Sequence, residues 1–442
     1  MTRVAIAGGG IAGLASAHLL LRAGCIPVIF EAANQLGGLG TYFEHAGFSF
    51  ERFYHVILDS DADLLALIDE LALAGEMIFR ESRMGFHIGG RQYPPNSAGD
   101  LLRFGAISPA GRLRVGLAGL ALRASGKENR ALDDITARQW LLRFFGAAAT
   151  DRIWVPLLRA KFGDAWDQVP AYWMWSRLTR EKGTAREVKG MLRGGYRRLA
   201  ENLRDSILGR GGQVRLNCPV AAIGQDAGRM WVEHAGGREE FDAVICTLPL
   251  PVLAKLARAE LAGRTPLPDL RYQGVVNVVV ISREQLQPYY WTAVVDPAFP
   301  FQGVVETTNL MPLEWTGGRH LIYLMNYCAG DPRTDDELRR QALAGLGALY
   351  PSFRAADVEA AYVFRAPFVE PLWTVGYLAR KPVARVGDTG LYLCTTAQSY
   401  PRVNSWNTSV GLARQTISAL LESTPWNLPR GGSVTSAIPP AP

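Results

Sequence analysis

Val4-Ala5-Ile6-Ala7-Gly8-Gly9-Gly10-Ile11-Ala12-Gly13-Leu14 is the stretch on which the reading of this chain turns. The apolar run Val4 to Ala7 predicts a strand, the glycines a tight turn, and Leu14, Ala17, Leu20 and Leu21 one face of a helix. A second apolar run from Ile26 to Phe30 ends on Glu31, about twenty residues after the glycines. That spacing is the dinucleotide fingerprint. Gly8 permits the turn, Gly10 lets backbone approach a pyrophosphate, and Gly13 lets helix and strand pack closely. The helix start at Ile11 and Ala12 offers free N–H groups and a positive dipole end to the phosphates. Glu31 is placed to accept hydrogen bonds from a ribose.

Beyond Glu31 the chain reads Ala32-Ala33-Asn34-Gln35-Leu36-Gly37-Gly38-Leu39-Gly40-Thr41, with a second glycine pair just past the acidic residue. Here the sequence resembles the flavoprotein superfamily of amine oxidases, protoporphyrinogen oxidases, carotenoid desaturases and UDP-galactopyranose mutases. Gly37, Gly38 and Thr41 match its FAD motif, and Glu31, Ala32 and Leu39 lie within it. The family's arginines around the glycine pair are replaced by Gln35 and Leu39. The resemblance therefore implies FAD held by backbone and helix dipole more than by side-chain charge.

It also implies an architecture. The expected fold is α/β, with a doubly wound Rossmann-like FAD domain built from residues 1–83, 187–262 and 376–424. An α+β substrate domain is expected from a helical cap segment, 84–186, and a sheet segment, 263–375, with 425–442 a flexible tail. Aromatic runs at 42–44 and 48–50 predict a hairpin, as do 86–88 and 92–93 around Gly89-Gly90. Helical patterns run through 100–104, 111–123, 136–145 and 148–159. The period-free apolar run 243–247 fits a central parallel strand.

Further site residues follow from the resemblance. The loop Glu51-Arg52-Phe53-Tyr54-His55 is similar to one that passes the flavin ring, with Phe53 where glycine is usual. The main chain near Val220, Thr247 at the end of its strand, and Thr395-Thr396 stand where the family contacts FAD. The last pair replaces Gly-Asp, so a ribityl-binding carboxylate is absent. Ser405 and Asn407 are expected at the start of the closing helix, whose dipole favours the charge gathered on a reduced flavin. Asn277 matches best the strand position where amine oxidases carry a lysine, which disfavours simple amine oxidation. His55, Asn277, Tyr400 and Trp406 are the candidate catalytic-pocket residues, with Lys161 and Trp175 as further pocket candidates.

Composition sets outer bounds. With 48% hydrophobic and 20% charged residues the chain is an ordinary globular one. Its net charge of +6 is spread along 442 residues and no nucleic-acid module is legible, so the expected partner is a small molecule. Five scattered cysteines with no C-x-x-C read as free thiols, and no metal is expected. No leader or spanning segment is legible, so a cytoplasmic location is expected. The apolar helix over 111–123, flanked by Arg112, Arg114 and Arg123, could lie on a membrane surface, but its two glycines favour a buried packing helix.

Three functions compete. The leading one is an FAD-dependent oxidoreductase that oxidises or desaturates a largely apolar or cyclic molecule by hydride transfer to flavin N5. The second is a sugar-nucleotide isomerase like the mutases, using reduced flavin. The third, suggested by Phe53, Asn277 and Thr395-Thr396, is a non-catalytic flavin-binding protein.

Overall fold

Five parallel strands from three separated parts of the chain form the nucleotide-binding sheet. In spatial order they are Gln213–Arg215, Ile26–Phe30, Arg3–Ala7, Ala243–Cys246 and Leu391–Leu393. The computed structural model describes residues 1–423 apart from 95, 125–127, 181–186, 264–266 and 329, so the expected tail at 425–442 and the end of the helical segment at 181–186 lie outside the described residues. Alternation explains why the three central strands read as apolar runs. Ala5, Ala7, Val28, Phe30, Val244 and Cys246 enter one core, whereas Val4, Ile6, Ile29, Ala243 and Ile245 enter another on the opposite face. Both faces are covered, so polar residues are excluded from both.

The helices Ile11–Arg22, Gly195–Gly209 and Trp406–Glu422 cover the second face through Leu14, Ala17, Leu199, Leu203, Val410 and Ile417. The antiparallel meander Ala222–Asp226, Arg229–His234 and Gly237–Phe241 lies with the first. All five parallel strands end on one edge, which is where such sheets bind ligands.

A seven-stranded sheet carries the remaining long insertions. Its order is Val358–Pro371, Tyr272–Ser282, His320–Cys328, Gly303–Glu306, Trp291–Val294, Met84–Ile88 and Arg91–Tyr93. The hairpin at 84–93 thus joins strands found some two hundred residues later, through the parallel pairing of Met84 with Trp291. Along Tyr272–Ser282, Val275, Val279 and Ile281 face the loops of the nucleotide-binding domain, and Val276, Val278 and Val280 pack beneath the helix Asp335–Leu349. The edge strand Val358–Pro371 has no sequence expectation. It carries Glu359, Arg365 and Pro367 on a half-exposed surface and lacks the apolar alternation that announces a strand.

The helices Ala98–Arg103, Pro109–Ala124, Ala137–Phe145, Val155–Phe162 and Ala171–Arg180 form a cluster whose core is continuous with the first face of the nucleotide-binding sheet. The expected helix at 148–159 is divided by a π turn at Thr150–Trp154. The expectation of a buried helix at 111–123 is corrected. Pro109–Ala124 buries Ala118 and Leu122 but leaves Leu113, Leu117 and Leu120 exposed.

Glu70 ties three helices of the nucleotide-binding domain together. Its Oε2 lies 3.1 Å from His18 Nε2 and 2.7 Å from Arg22 Nη1, and its Oε1 lies 3.6 Å from Arg414 Nη2. The hydrogen bond from His18, then those from Arg22, hold its pKa down at about 2 against the opposing effect of burial. A depressed carboxylate stabilises the fold above its unfolded pKa, and that stabilisation is lost as pH falls through the folded one. Glu70→Gln is expected to lower unfolding free energy on the order of 1–2 kcal/mol above about pH 5, a value discounted for partial exposure. Denaturant titrations of both proteins should show the gap closing toward pH 2; a gap of constant size would refute the role.

Candidate functional site

The glycine turn is built by exclusion. Gly8 has φ +108°, and a Cβ there would stand 2.4 Å from Thr247 Oγ1. A Cβ on Gly13 would stand 2.1 Å from the carbonyl oxygen of Gly8, which fixes how closely helix and strand approach. Gly10 differs, because φ is −72° and the nearest atom to a Cβ is Gly38 Cα at 3.8 Å. Its missing side chain leaves space above the helix start. That start has no side-chain cap and no acidic residue in its first turn, so the N–H groups of Ile11, Ala12 and Gly13 remain for an anion.

The second glycine pair clasps the first. Gly37 N–H donates to the Gly9 carbonyl at 2.9 Å, and Gly10 pairs with Gly37 as an isolated parallel bridge. Glu31 accepts from Gly9 N–H at 2.7 Å with one oxygen and from Ala33 N–H at 2.8 Å with the other. Each oxygen keeps a further lone pair for a ribose hydroxyl. The chain at 215–218 runs beside it, with Cys218 N–H donating to the Glu31 carbonyl at 2.8 Å, and brings Val220 to this edge. Ala32 next to Glu31 is exposed. Gly9 and Gly40 escaped the sequence reading. A Cβ on Gly9 would meet Leu36 at 2.5 Å, and one on Gly40 would meet Trp406 at 2.2 Å.

The other expected residues divide into supports and walls. Thr247 donates to the Ala7 carbonyl at 2.9 Å and so braces the turn from beneath. Thr395 caps the short turn Thr396–Gln398, with Ala397 N–H donating to its hydroxyl at 3.3 Å. The Thr396 carbonyl accepts from Ser399 Oγ at 2.7 Å. Ser405 caps the closing helix by accepting from Thr408 N–H at 3.1 Å. Asn407 requires correction: its Oδ1 accepts from Leu64 N–H at 2.9 Å and caps the helix Ala62–Glu70. That carbonyl is committed to the fold. Thr41, at the end of the glycine clasp, accepts from Arg52 N–H at 3.0 Å through its carbonyl, and Leu39 packs toward the seven-stranded sheet.

The four candidate catalytic residues do not form one group. His55 and Trp406 lie together around Tyr196, whose ring centroid is 4.8 Å from His55 and 3.8 Å from Trp406. His55 Nδ1 is 3.4 Å from Glu51 Oε2, and Glu51 Oε1 accepts from Tyr196 N–H at 2.9 Å. Asn277, 1% exposed, donates through Nδ2 to the Arg52 carbonyl at 2.7 Å and so holds the flavin-side loop. Tyr400 is corrected as a pocket residue. It is fully buried, packs on Trp373, Tyr377 and Tyr172, and its hydroxyl donates to Asp133. The Tyr400 hydroxyl thus fastens the closing segment to the helical one.

A different set of side chains converges from six stretches of chain. Tyr54, one residue before His55, points the other way, with its hydroxyl 3.3 Å from Met325 Sδ, while Phe53 packs on the same sheet face. Lys161 Nζ lies 3.3 Å from Glu370 Oε2, 5.2 Å from the Tyr327 ring and 5.9 Å from the Trp173 ring. Asn404 Nδ2 reaches Glu370 Oε2 at 3.4 Å. Trp175, the other expected pocket residue, stacks instead on Tyr172, which packs on Tyr400. Burial raises the Tyr54 phenol pKa, and the neighbouring Tyr327 adds to the rise; burial pushes Tyr327 to about 12, with Glu370 adding to it. Asn277 Oδ1 and Glu370 Oε1 are buried and without partners among the described residues. Tyr327, Glu370 and Asn404 sit in strands or loops with no local pattern, and nothing short of the assembled fold marks them.

The cradle thus fits a dinucleotide: an uncapped helix start, a space only glycine leaves, and orphaned acceptors near the loop that would flank a ring. Gly10→Val should keep the fold yet weaken FAD binding by at least roughly a hundredfold, about 3 kcal/mol. Gly13→Ala should instead destabilise the fold on the order of 1–3 kcal/mol or more, because its new atom meets backbone. Flavin content and circular dichroism of both purified variants check this; a yellow, fully loaded Gly10→Val protein would contradict the assignment.

A family model described as flavin containing amine oxidoreductase matches residues 11–403. The chain is 25% identical over 290 residues to the 15-cis-phytoene desaturase of Synechococcus elongatus, a match covering 58% of this chain and 59% of that protein. Among solved structures it superposes on a putative protoporphyrinogen oxidase from Exiguobacterium sp. 255-15 with a TM-score of 0.75 at 20% identity, over 95% of this chain and 99% of that one. A reduced UDP-galactopyranose mutase matches with a TM-score of 0.73 at 15% identity, over 96% and 97% of the two chains. These structural likenesses establish the fold, and the family match establishes more: the chain belongs to the flavin-containing amine oxidoreductase family and is an enzyme whose cofactor is FAD.

Proposed function

We propose that this enzyme oxidises or desaturates a largely apolar or cyclic small molecule. The observation that carries the reading is the aromatic convergence of Tyr54, Trp173 and Tyr327 around Lys161, on the side of the 51–55 loop away from His55. FAD, when bound, would supply a two-electron acceptor for hydride from a substrate carbon. The protein supplies placement and dryness. Neutral phenols and an indole offer broad apolar faces to a ring or polyene and exclude water from it. The Lys161–Glu370 pair balances its own charge, so this wall does not demand a charged substrate. Asn277 stands where amine oxidases carry lysine, and its amide is occupied in fixing the Arg52 carbonyl. That favours carbon oxidation by positioning over the oxidation of simple amines.

Two outcomes test the reading. Under anaerobic conditions, cyclic or polyene candidates should bleach the flavin absorbance, and nucleotide sugars should not. Turnover of a nucleotide sugar appearing only after dithionite reduction would replace this reading with the isomerase one. Because burial keeps both phenols protonated, flavin reduction should be flat between about pH 6 and 9 with respect to them, and Tyr54→Phe should retain the rate within about tenfold. A rate that rises with pH and loses that dependence in Tyr54→Phe would make the phenol a base.

A further inference from the structure

The helix Pro109–Ala124 is amphipathic in the reverse of the usual sense. At roughly 100° per residue, Leu113, Leu117 and Leu120 fall on one stripe, opposite the buried Ala118 and Leu122. The three leucines are 66%, 58% and 62% exposed, and Leu102 on the preceding helix Ala98–Arg103 is 69% exposed. Four large aliphatic side chains thus stand out from two consecutive helices. A stripe of this kind marks an interaction surface rather than scattered surface apolarity.

Charge says what the surface meets. Between residues 91 and 124 the chain has five arginines, one aspartate and neither lysine nor glutamate. Arg112 and Arg114 leave the helix on opposite sides of the leucine stripe. Arg112 is tied to the carbonyls of Ile107 and Leu102, and Arg114 Nη2 to the Arg143 carbonyl at 2.7 Å. These bonds go to neutral acceptors, so both cations keep their charge. Arg91 and Arg103 are exposed nearby. The loop between the two helices, at Gly105 and Ala106, also borders an open cleft of about 580 Å³ lined by Tyr93, Arg152 and Pro156.

We propose that this face docks on an anionic lipid bilayer, with Leu102, Leu113, Leu117 and Leu120 entering the acyl boundary and the arginines meeting phosphate headgroups. An apolar centre with a cationic rim is what binds an anionic interface. A second copy of the chain fits it less well, because a two-fold contact would set each arginine rim against its own copy. The helix is an interfacial element, since no helix among the described residues is long and apolar enough to cross a membrane.

Flotation of the FAD-loaded full chain with vesicles tests this directly. Binding to phosphatidylcholine vesicles containing phosphatidylglycerol is expected, weaker binding to phosphatidylcholine alone, and loss of the difference at high salt. Leu113→Gln, Leu117→Gln and Leu120→Gln together should weaken binding at least about tenfold, with flavin content and melting temperature unchanged. Arg91→Gln with Arg103→Gln should remove part of the phosphatidylglycerol preference alone. Absence of flotation, or equal flotation by the leucine variant, overturns the proposal. So does a lipid-free dimer that the leucine variant converts to monomer, because a second copy would then cover the stripe.

Discussion

The contact of Gly13 with the carbonyl of Gly8 is the constraint from which the nucleotide-binding domain follows. No side-chain atom can stand between them, so the first helix sits hard on the first strand and its start is aimed over the sheet edge. Thr247, from a strand more than two hundred residues later, fills the space beneath Gly8 and locks the turn from below. Gly37 then bonds the Gly9 carbonyl from above. The cradle is therefore made almost wholly of backbone, which is how it manages without the arginines usual around the second glycine pair.

That construction shifts work onto the returns of the chain. Three segments supply the parallel sheet, and the two insertions between them share one seven-stranded sheet, so neither layer closes until nearly the whole chain is made. Buried polar links fasten the layers where they meet: Tyr400 to Asp133, Asn277 to the Arg52 carbonyl, and Asn407 to the helix start at Leu64. Each uses a residue that looks functional in sequence for a hydrogen bond that fastens distant segments of the chain. A buried polar group must find such a partner, and here the partner lies on a distant segment of the chain. The aromatic group around Lys161 is what these links leave facing the interior.

How much of this was legible depended on the range of the force concerned. The strand ending at Cys246, the helix Ala137–Phe145 and the closing helix were readable because period and end-capping are written within a few residues. The edge strand Val358–Pro371 was not, since a half-exposed strand has no clean apolar alternation. The helix at Pro109–Ala124 has the composition of a core helix, and only its neighbours show that its leucines turn outward.

By itself the sequence determined the cofactor cradle, because the positive φ at Gly8, the glycine spacing and the acidic strand end act over a handful of peptide bonds. It also determined the alternation of sheet and insertion that places FAD at one edge. Tertiary structure alone decided which side chains meet there. Tyr54 and His55 are neighbours in sequence, yet one faces Met325 and the other Tyr196. The reason is that strand and loop periodicities say that successive side chains diverge, while only the packing of distant segments says which side becomes the pocket.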